Sequence, residues 1–478
     1  MDARSDKNAI PLAVDLDGTL IATDLLWEGV FLLLRKNPLY LFMIPVWLLS
    51  GPARLKQELA ARIELDPASL PYRDKLVERL REERRAGRRI VLATGTPRKF
   101  AEVIAAHLDL FDAVHATEGK HNLTAQRKRA ALVQAYGDGG FDYVGNSRHD
   151  LKCFDVAREA IVVAPDRQAA RWQAVHGAEL FETPKPTFKT YLKMLRAHQW
   201  AKNTLIAVPV VLSHEYFNIG MLFACLLAFV SFSAAASAVY IVNDFFDLAL
   251  DRRHKTKRKR PFASGLLSIP FGLKTAAALV VVSAVTASFL APLFWAALAG
   301  YLVMTTAYSL SVKRWLLLDV LTLAGLYTVR ILAGAAATGT TVSFWLLAFS
   351  IFFFLSLALV KRFVELRHTP DLVVGQRMAG RGYRVEDQEI IAQAGMASAF
   401  SSALVLALYI DSNSVKQLYA NPWMMWPVAP IILYLTMRIW ILARRDEMHD
   451  DPVVFIIRDW RSQLFMAFGA VLLFAAGL

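Results

Sequence analysis

Three carboxylates stand close together in the run YIVNDFFDLALDRRHKTKRKRPFASG, residues 240–265: Asp244, Asp247 and Asp251. At about 100° per residue they fall within roughly 60° of one another on a helix, with Asn243 at the edge of that face. Like charges so placed repel, and a hard divalent cation relieves them; Mg²⁺ held by carboxylates and substrate phosphates suits the set. Lys257, Arg258, Lys259 and Arg260 follow at once, and such side chains hold phosphate oxygens. The alternative is a basic membrane anchor with acids added for solubility, which has no need of acids on one face.

Two further groups carry chemistry. In YSLSVKRWLLLDVLTLAGLYTVRILAG, Asp319 and Arg330 are eleven residues apart, three helical turns, inside an apolar run. Ionisable groups at such depth are costly and by default functional, the alternative being a structural ion pair. Lys361 and Glu365, four apart, form an ordinary helical pair by themselves. Nearer the start, IPLAVDLDGTLIATD is a strand-like run ending on Asp15 and Asp17. RRIVLATGT ends on Thr94, AQRKRAALVQAYG offers Lys128 at the start of a helix, and FDYVGNSRHDLKCF ends a third strand on Asn146 and Asp150. Lys120 is a rival to Lys128 whose spacing to the following helix fits less well.

The elements that must position these residues differ between the two halves. With 478 residues the chain exceeds one ordinary domain. Up to about residue 186 it reads as α/β protein; beyond, long apolar runs dominate. The net charge of +13 points to membrane topology and anionic ligands rather than nucleic acid, because the bases border apolar spans. Two cysteines, Cys153 and Cys225, exclude a disulfide framework and a cysteine-rich metal site. Nine spans are expected at 200–213, 220–242, 270–290, 292–310, 316–337, 343–360, 391–410, 422–443 and 462–478, the first being short and interrupted by Pro209. Arg and Lys number seven in 244–269, two in 311–315, six in 361–390 and four in 444–461, whereas the alternate loops hold only Lys416. That asymmetry predicts a cytoplasmic side for the charged loops and for the amino-terminal domain, whose first residues lack a signal-peptide pattern.

The sequence predicts a soluble domain over 1–183 with a small helical cap at about 20–88, a linker and membrane-entry segment over 184–198 marked by Pro184 and Pro186, and a polytopic all-α domain over 199–478. Within the cap, GVFLLLRKNPLYLFMIPVWLLSG is broken by Arg35, Lys36, Pro38 and Pro45, so it is not expected to span. It is read either as a surface resting on the bilayer, or as packed cap core or an interface with the other domain.

The motif NDFFDLALDRRHKTKRKRP resembles the first aspartate-rich motif of the UbiA superfamily of intramembrane prenyltransferases, over about 190–478. RAHQWAKN, YSLSVKR, LYTVRILAGAAATG and KRFVEL resemble the branch of decaprenyl-phosphate phosphoribosyltransferases, which join a polyprenyl phosphate to phosphoribosyl pyrophosphate and release pyrophosphate. That resemblance implies metal ligands at Asp244, Asp247 and Asp251. It implies substrate contacts from Lys202, Asn203, Asn243, Lys257, Arg258, Arg260, Tyr308, Lys313, Asp319, Arg330, Lys361 and Glu365. Aromatic prenyltransferases typically pair the second motif as DxxxD, whereas Asp319 is followed four positions later by Leu323. One acid fewer and an added Arg330 suit a donor with a 5-phosphate.

The four ordered motifs of residues 10–180 resemble the haloacid dehalogenase superfamily and imply a doubly wound sheet with ligands at its strand ends. By that resemblance Asp15 is the nucleophile, Asp17 the acid and base, and Thr94 and Lys128 hold the phosphoryl group. Asp15, Asp17 through its carbonyl, and Asp150 hold Mg²⁺, and Asn146, a substrate contact, replaces an acid found in many relatives. A degenerate structural domain is the alternative. Together the halves are expected to make 5-phosphoribosyl polyprenyl phosphate and then remove its 5-phosphate, at the cytoplasmic face of the cell inner membrane. The competing expectation is an aromatic prenyltransferase using prenyl diphosphate, with an accessory phosphatase.

Overall fold

A computed structural model describes residues 10–119, 122–368, 377–378, 380–412, 415, 419–448 and 451–477. Lys120 and Lys416 lie outside the described residues. By contacts the chain forms two compact units, one of Met1–Leu195 with Tyr240–Ala276, the other of Arg196–Val239 with Ala277–Leu478. The stretch carrying Asp244, Asp247 and Asp251 therefore packs as part of the first unit.

That unit is built on six parallel strands: β1 (Leu12–Val14), β2 (Ile90–Pro97), β3 (Ala113–Thr117), β4 (Asp142–Gly145), β5 (Ala160–Val163) and β6 (Glu179–Phe181). Their order is β3-β2-β1-β4-β5-β6, with Leu12 opposite both Ile90 and Asp142. β1 and β4 are wholly buried, as parallel strands covered on both faces must be, which is why β1 reads as an unbroken apolar run; in β4 the buried Asp142 is compensated by Arg88 and Arg158. The order of connection reverses between β1 and β4, and ligands of such sheets sit beyond the strand ends at that point.

Between β1 and β2 the cap comprises α1 (Leu25–Lys36), α2 (Tyr40–Leu49), α3 (Pro52–Arg62) and α4 (Asp74–Arg85). Asp24 caps α1 by accepting from the Leu26 amide at 2.8 Å. On α2 only Trp47 is buried, while Phe42 is 74% and Leu49 90% exposed, so most of this apolar helix lies at the surface rather than in a cap core. The sheet is completed by α5 (Arg98–Leu108), α6 (Gln126–Tyr136), α7 (Leu151–Phe154) and α8 (Arg167–His176), and α9 (Phe188–Leu195) follows.

The apolar half contains α10 (Val208–Leu212), α11 (Ile219–Phe246), α12 (Leu248–Arg253), α13 (Ile269–Ala287), α14 (Pro292–Leu310), α15 (Leu318–Thr338), α16 (Phe344–Arg367), α17 (Asp387–Ile410), α18 (Val428–Arg444), α19 (Pro452–Arg458) and α20 (Trp460–Gly477). Among the described residues eight helices are long and apolar enough to cross a membrane, so this is a multi-pass membrane protein, and the expected span at 200–213 is not one of those eight helices. Over the expected span at 200–213 the chain forms not one long helix but a 3₁₀ segment, Ala197–Ala207, followed by the five-residue α10. Its apolar run is too short for about 20 helical residues, and Pro209 lies where a longer helix would need its amide.

Candidate functional sites

At the β1 end the chain turns through Asp15, Leu16 and Asp17 to Gly18, whose φ of +75° favours glycine. A Cβ at Gly18 would lie 2.2 Å from the Asn146 side-chain nitrogen, so the same glycine lets the β4 end close over the β1 end. Lys128 on α6 is buried and bridges this gap. Its ammonium contacts Asp15 Oδ1 at 2.7 Å, Asp150 Oδ1 at 3.0 Å and the Tyr143 hydroxyl at 2.9 Å. Burial opposes its charge, but Asp15 and Asp150 outweigh that and hold Lys128 protonated.

Each acid has a distinct setting. Asp15 Oδ2 accepts from the Thr19 hydroxyl at 3.2 Å. Asp17 accepts from the Leu25 amide at 2.9 Å and the Thr96 hydroxyl at 2.5 Å. Asp150 accepts from Tyr143, from the Asn146 and Ser147 amides and from the Ser147 hydroxyl. Burial pushes Asp15 up to about 7 and Asp17 up to about 6. In Asp150 burial acts the same way, but Lys128 and Tyr143 hold it below the ordinary carboxylate range. Thr94 is fully buried on β2, and its Oγ accepts from the Thr96 amide at 3.1 Å. The structure thus gathers Asp15, Lys128, Asn146 and Asp150, with Asp17 on the adjoining turn and Thr94 on β2. Such an arrangement can present a nucleophilic carboxylate beside a fixed positive charge and a second carboxyl able to exchange a proton near neutrality.

In the aspartate-rich stretch α11 gives way to α12 at Asp247, whose φ and ψ are −102° and 3°. Helical hydrogen bonding persists across the junction, from the Asp247 amide to the Asn243 carbonyl and from the Asp251 amide to the Asp247 carbonyl. Asp244 and Asp251 are buried and share one guanidinium: Arg260 Nη1 lies 3.2 Å from Asp244 Oδ1 and 2.6 Å from Asp251 Oδ2. Asp247 is half-buried. Asp244 and Asp251 thus share one guanidinium, and Asp247 lies between them at the junction of the two helices. Of the basic block Arg260 hydrogen-bonds both acids, whereas Lys257 and Arg258 are exposed.

The second unit holds its own charged cluster. Asp451 Oδ2 accepts from Lys202 at 2.6 Å and from Lys361 at 3.3 Å, and its Oδ1 from the Tyr327 hydroxyl at 3.2 Å. Burial disfavours the Asp451 anion, but the two lysines outweigh it and hold Asp451 well below the usual range. Arg330 donates to Asn203 Oδ1 at 2.8 Å and lies over the Tyr301 ring at 4.9 Å, and Asn203 donates to Ser233 at 2.9 Å. Asp319 pairs with Arg362 at 2.6 Å and accepts from Tyr383 at 2.5 Å; its partner is therefore on α16, not Arg330 three turns along its own helix. Arg362 also meets Glu365, and Arg381 donates to the Tyr308 hydroxyl at 2.9 Å and to the Lys313 carbonyl at 3.5 Å. Lys361 and Glu365 thus point to different partners, Asp451 for the one and Arg362 with Arg381 for the other.

Several participants were not read from the sequence. Tyr143 and Thr96 are ordinary strand residues until the fold aims them at Asp150 and Asp17. Lys56 of the cap donates to the Gly95 carbonyl at 2.6 Å and to Asn122 at 3.2 Å. Glu28 and Arg252 form a buried bidentate pair at 2.6 and 2.9 Å. Asp451 carried one signal, an acid directly before Pro452 at a helix start, where it caps the Val453 amide.

The UbiA prenyltransferase family matches residues 204–474, and the haloacid dehalogenase-like hydrolase family matches residues 12–155. An uncharacterized protein of Sinorhizobium fredii is 36% identical over 456 residues, covering 94% of this chain and 88% of that one. The nodulation protein NoeC of Azorhizobium caulinodans is 35% identical over 298 residues, 60% of this chain and 94% of its own length. The decaprenyl-phosphate phosphoribosyltransferase of Mycobacterium tuberculosis is 36% identical over 179 residues, 37% of this chain and 59% of that enzyme. The chain belongs to the UbiA prenyltransferase family and carries a haloacid dehalogenase-like hydrolase domain at its amino terminus.

Proposed function

We propose that the chain catalyses two consecutive steps on one lipid: transfer of 5-phosphoribose from phosphoribosyl pyrophosphate to a polyprenyl phosphate, then hydrolysis of the 5-phosphate. The observation that carries this reading is the packing of the aspartate-rich segment with the hydrolase sheet and cap in one compact unit, pinned by the buried Glu28–Arg252 pair. Partial likeness to the phosphoribosyltransferases supports the choice of donor.

In the first step an acceptor phosphate oxygen attacks the anomeric carbon as its bond to pyrophosphate breaks. The acceptor is already anionic, so no strong base is needed, and stabilising the departing charge is the main task. Asp244 and Asp251 already share one cationic partner in Arg260, and two carboxylates plus substrate phosphates are the donors Mg²⁺ prefers. Asp247 and Asn243 flank them. Lys202, Asn203, Arg330 and Lys361, with Tyr308, Lys313 and the Asp319 and Glu365 ion pairs, are assigned to the phosphate-bearing substrates by their charge and hydrogen-bonding capacity.

In the second step an Asp15 oxygen attacks phosphorus while the ester bond breaks, and Asp17 passes its proton to the ribose oxygen. Asp17 then takes a proton from water, which attacks the aspartyl phosphate and frees inorganic phosphate. Lys128 and Thr94 hold the phosphoryl group, and Asn146 borders it. Asp15 and Asp150 share the single ammonium of Lys128, and with the Asp17 carbonyl they are the oxygen donors that would hold a hard cation. Bound there, Mg²⁺ would neutralise phosphoryl oxygens.

Both steps are placed at the cytoplasmic face of the inner membrane, on the loop-charge asymmetry, with the exposed apolar α2 resting on the bilayer. Purified protein incubated with polyprenyl phosphate, labelled phosphoribosyl pyrophosphate and Mg²⁺ should yield a polyprenyl phosphoryl ribose, pyrophosphate and inorganic phosphate. Asp15→Asn should accumulate the same lipid carrying one more phosphate. Identical lipids from both proteins would refute the two-step assignment, and turnover of prenyl diphosphate with an aromatic acceptor instead would establish the prenyltransferase reading.

A further inference from the structure

The cavity of about 580 Å³ that contains Asp15, Asp17, Lys128 and Asp150 is not walled by the hydrolase fold alone. Its far side is Gly265–Phe271, the turn after the aspartate-rich motif and the first residues of α13. This wall is held firmly. Gly265 has a φ of +71°, and a Cβ there would lie 2.4 Å from both the Cβ and the carbonyl oxygen of Ala22, so the turn presses directly on the loop after Asp17. Arg252, already paired with Glu28, donates to the Ala263 carbonyl at 3.0 Å. The Leu267 amide closes the turn onto the Pro261 carbonyl at 3.1 Å.

The two sides of the mouth differ in chemistry. The hydrolase side brings the positive charges of Lys56 and Arg73, while the opposite wall offers Leu266, Pro270 and Phe271. Phe271 keeps 41% of its surface open and Leu266 is half-buried. A small sugar phosphate has no use for an apolar wall. A leaving group with a second anionic group and a hydrocarbon chain meets both sides.

We propose that Leu266 and Phe271 are specificity residues of the hydrolase site, selecting a phosphate monoester whose leaving group carries a further phosphate and an apolar chain. This rests on the two-step reading and names the part of the substrate that the second site recognises. Its test uses full-length protein and two synthetic substrates, farnesyl phosphoryl ribose 5-phosphate and its methyl analogue, so that transferase activity is not needed. Wild type should show kcat/KM at least tenfold higher for the farnesyl compound, the order expected for burying a few methylenes. Leu266→Asn with Phe271→Ser should bring the two substrates close to parity by raising KM for the farnesyl compound, with the methyl compound turned over as before. A chain preference that survives the substitutions, or no preference in wild type, would overturn the wall while leaving the ribose reading intact. Failure of wild type to hydrolyse either compound, with Asp15-dependent hydrolysis of p-nitrophenyl phosphate retained, would overturn both.

Discussion

Replacing Glu28 by alanine should loosen the aspartate-rich segment, although Glu28 belongs to the hydrolase cap. Its carboxylate receives Arg252 at 2.6 and 2.9 Å, and the two side chains are only 6% and 7% exposed. Removing one partner of a buried pair leaves the other charge without compensation and costs about 3–5 kcal/mol. Phe31 against Phe245 at 5.0 Å and Arg35 to the Phe246 carbonyl at 3.2 Å would remain, so the lower figure is the appropriate one. At 1.4 kcal/mol per factor of ten, about 3 kcal/mol raises local opening roughly a hundredfold. Hydrogen exchange reads this directly, because the Ser264 and Leu267 amides close the turn beside the segment. Their protection should fall by about that factor in Glu28→Ala, while amides of β1 and β4 hold. Adding Arg252→Ala should restore part of the loss, since the stranded charge is gone. Unchanged protection at Ser264 and Leu267 in the single variant would refute the role given to this pair.

Asp244→Asn or Asp251→Asn should abolish transfer while the protein still folds, by removing one of the two carboxylates that share Arg260; near-normal rates at saturating Mg²⁺ would leave only an anchoring role. Arg330→Ala should raise KM for the phosphoribosyl donor at least tenfold, and a selective loss of affinity for a prenyl diphosphate would favour the aromatic reading instead. At Asp142 burial raises the pKa, but Arg158 and Arg88 outweigh it and hold the carboxyl below its ordinary value. Its stabilising contribution is therefore complete above the ordinary carboxylate pKa of about 4 and is lost as pH falls through the lower folded value. Thermal midpoints should accordingly drop less steeply below about pH 4 in Asp142→Asn than in wild type, and parallel slopes would refute the assignment.

Residue type and order alone specified a great deal here. Unbroken apolar runs ending in acids mark buried parallel strands, and Asp15, Asp17, Thr94, Lys128 and Asp150 keep the order in which such a sheet delivers them to its strand ends. Spans are equally legible where a helix is long and uniformly apolar, because the bilayer selects on length and composition. The run at 200–213 is not one long helix, because hydropathy does not register that Pro209 and a short apolar stretch interrupt α-helical geometry. Partner choice was decided only by the fold. Asp319 and Arg330 share a helix, yet Asp319 takes Arg362 and Arg330 takes Asn203, because a buried ionised group is satisfied by the polar partners that packing brings within reach, not by spacing along its own helix. Asp451, 90 residues beyond Lys361, and Arg252, 224 beyond Glu28, lie at separations where local periodicity carries no information. The apolar wall opposite Asp15 has the same origin: its residues come from a turn next to a membrane helix, and only chain packing sets them at the mouth of a hydrolase.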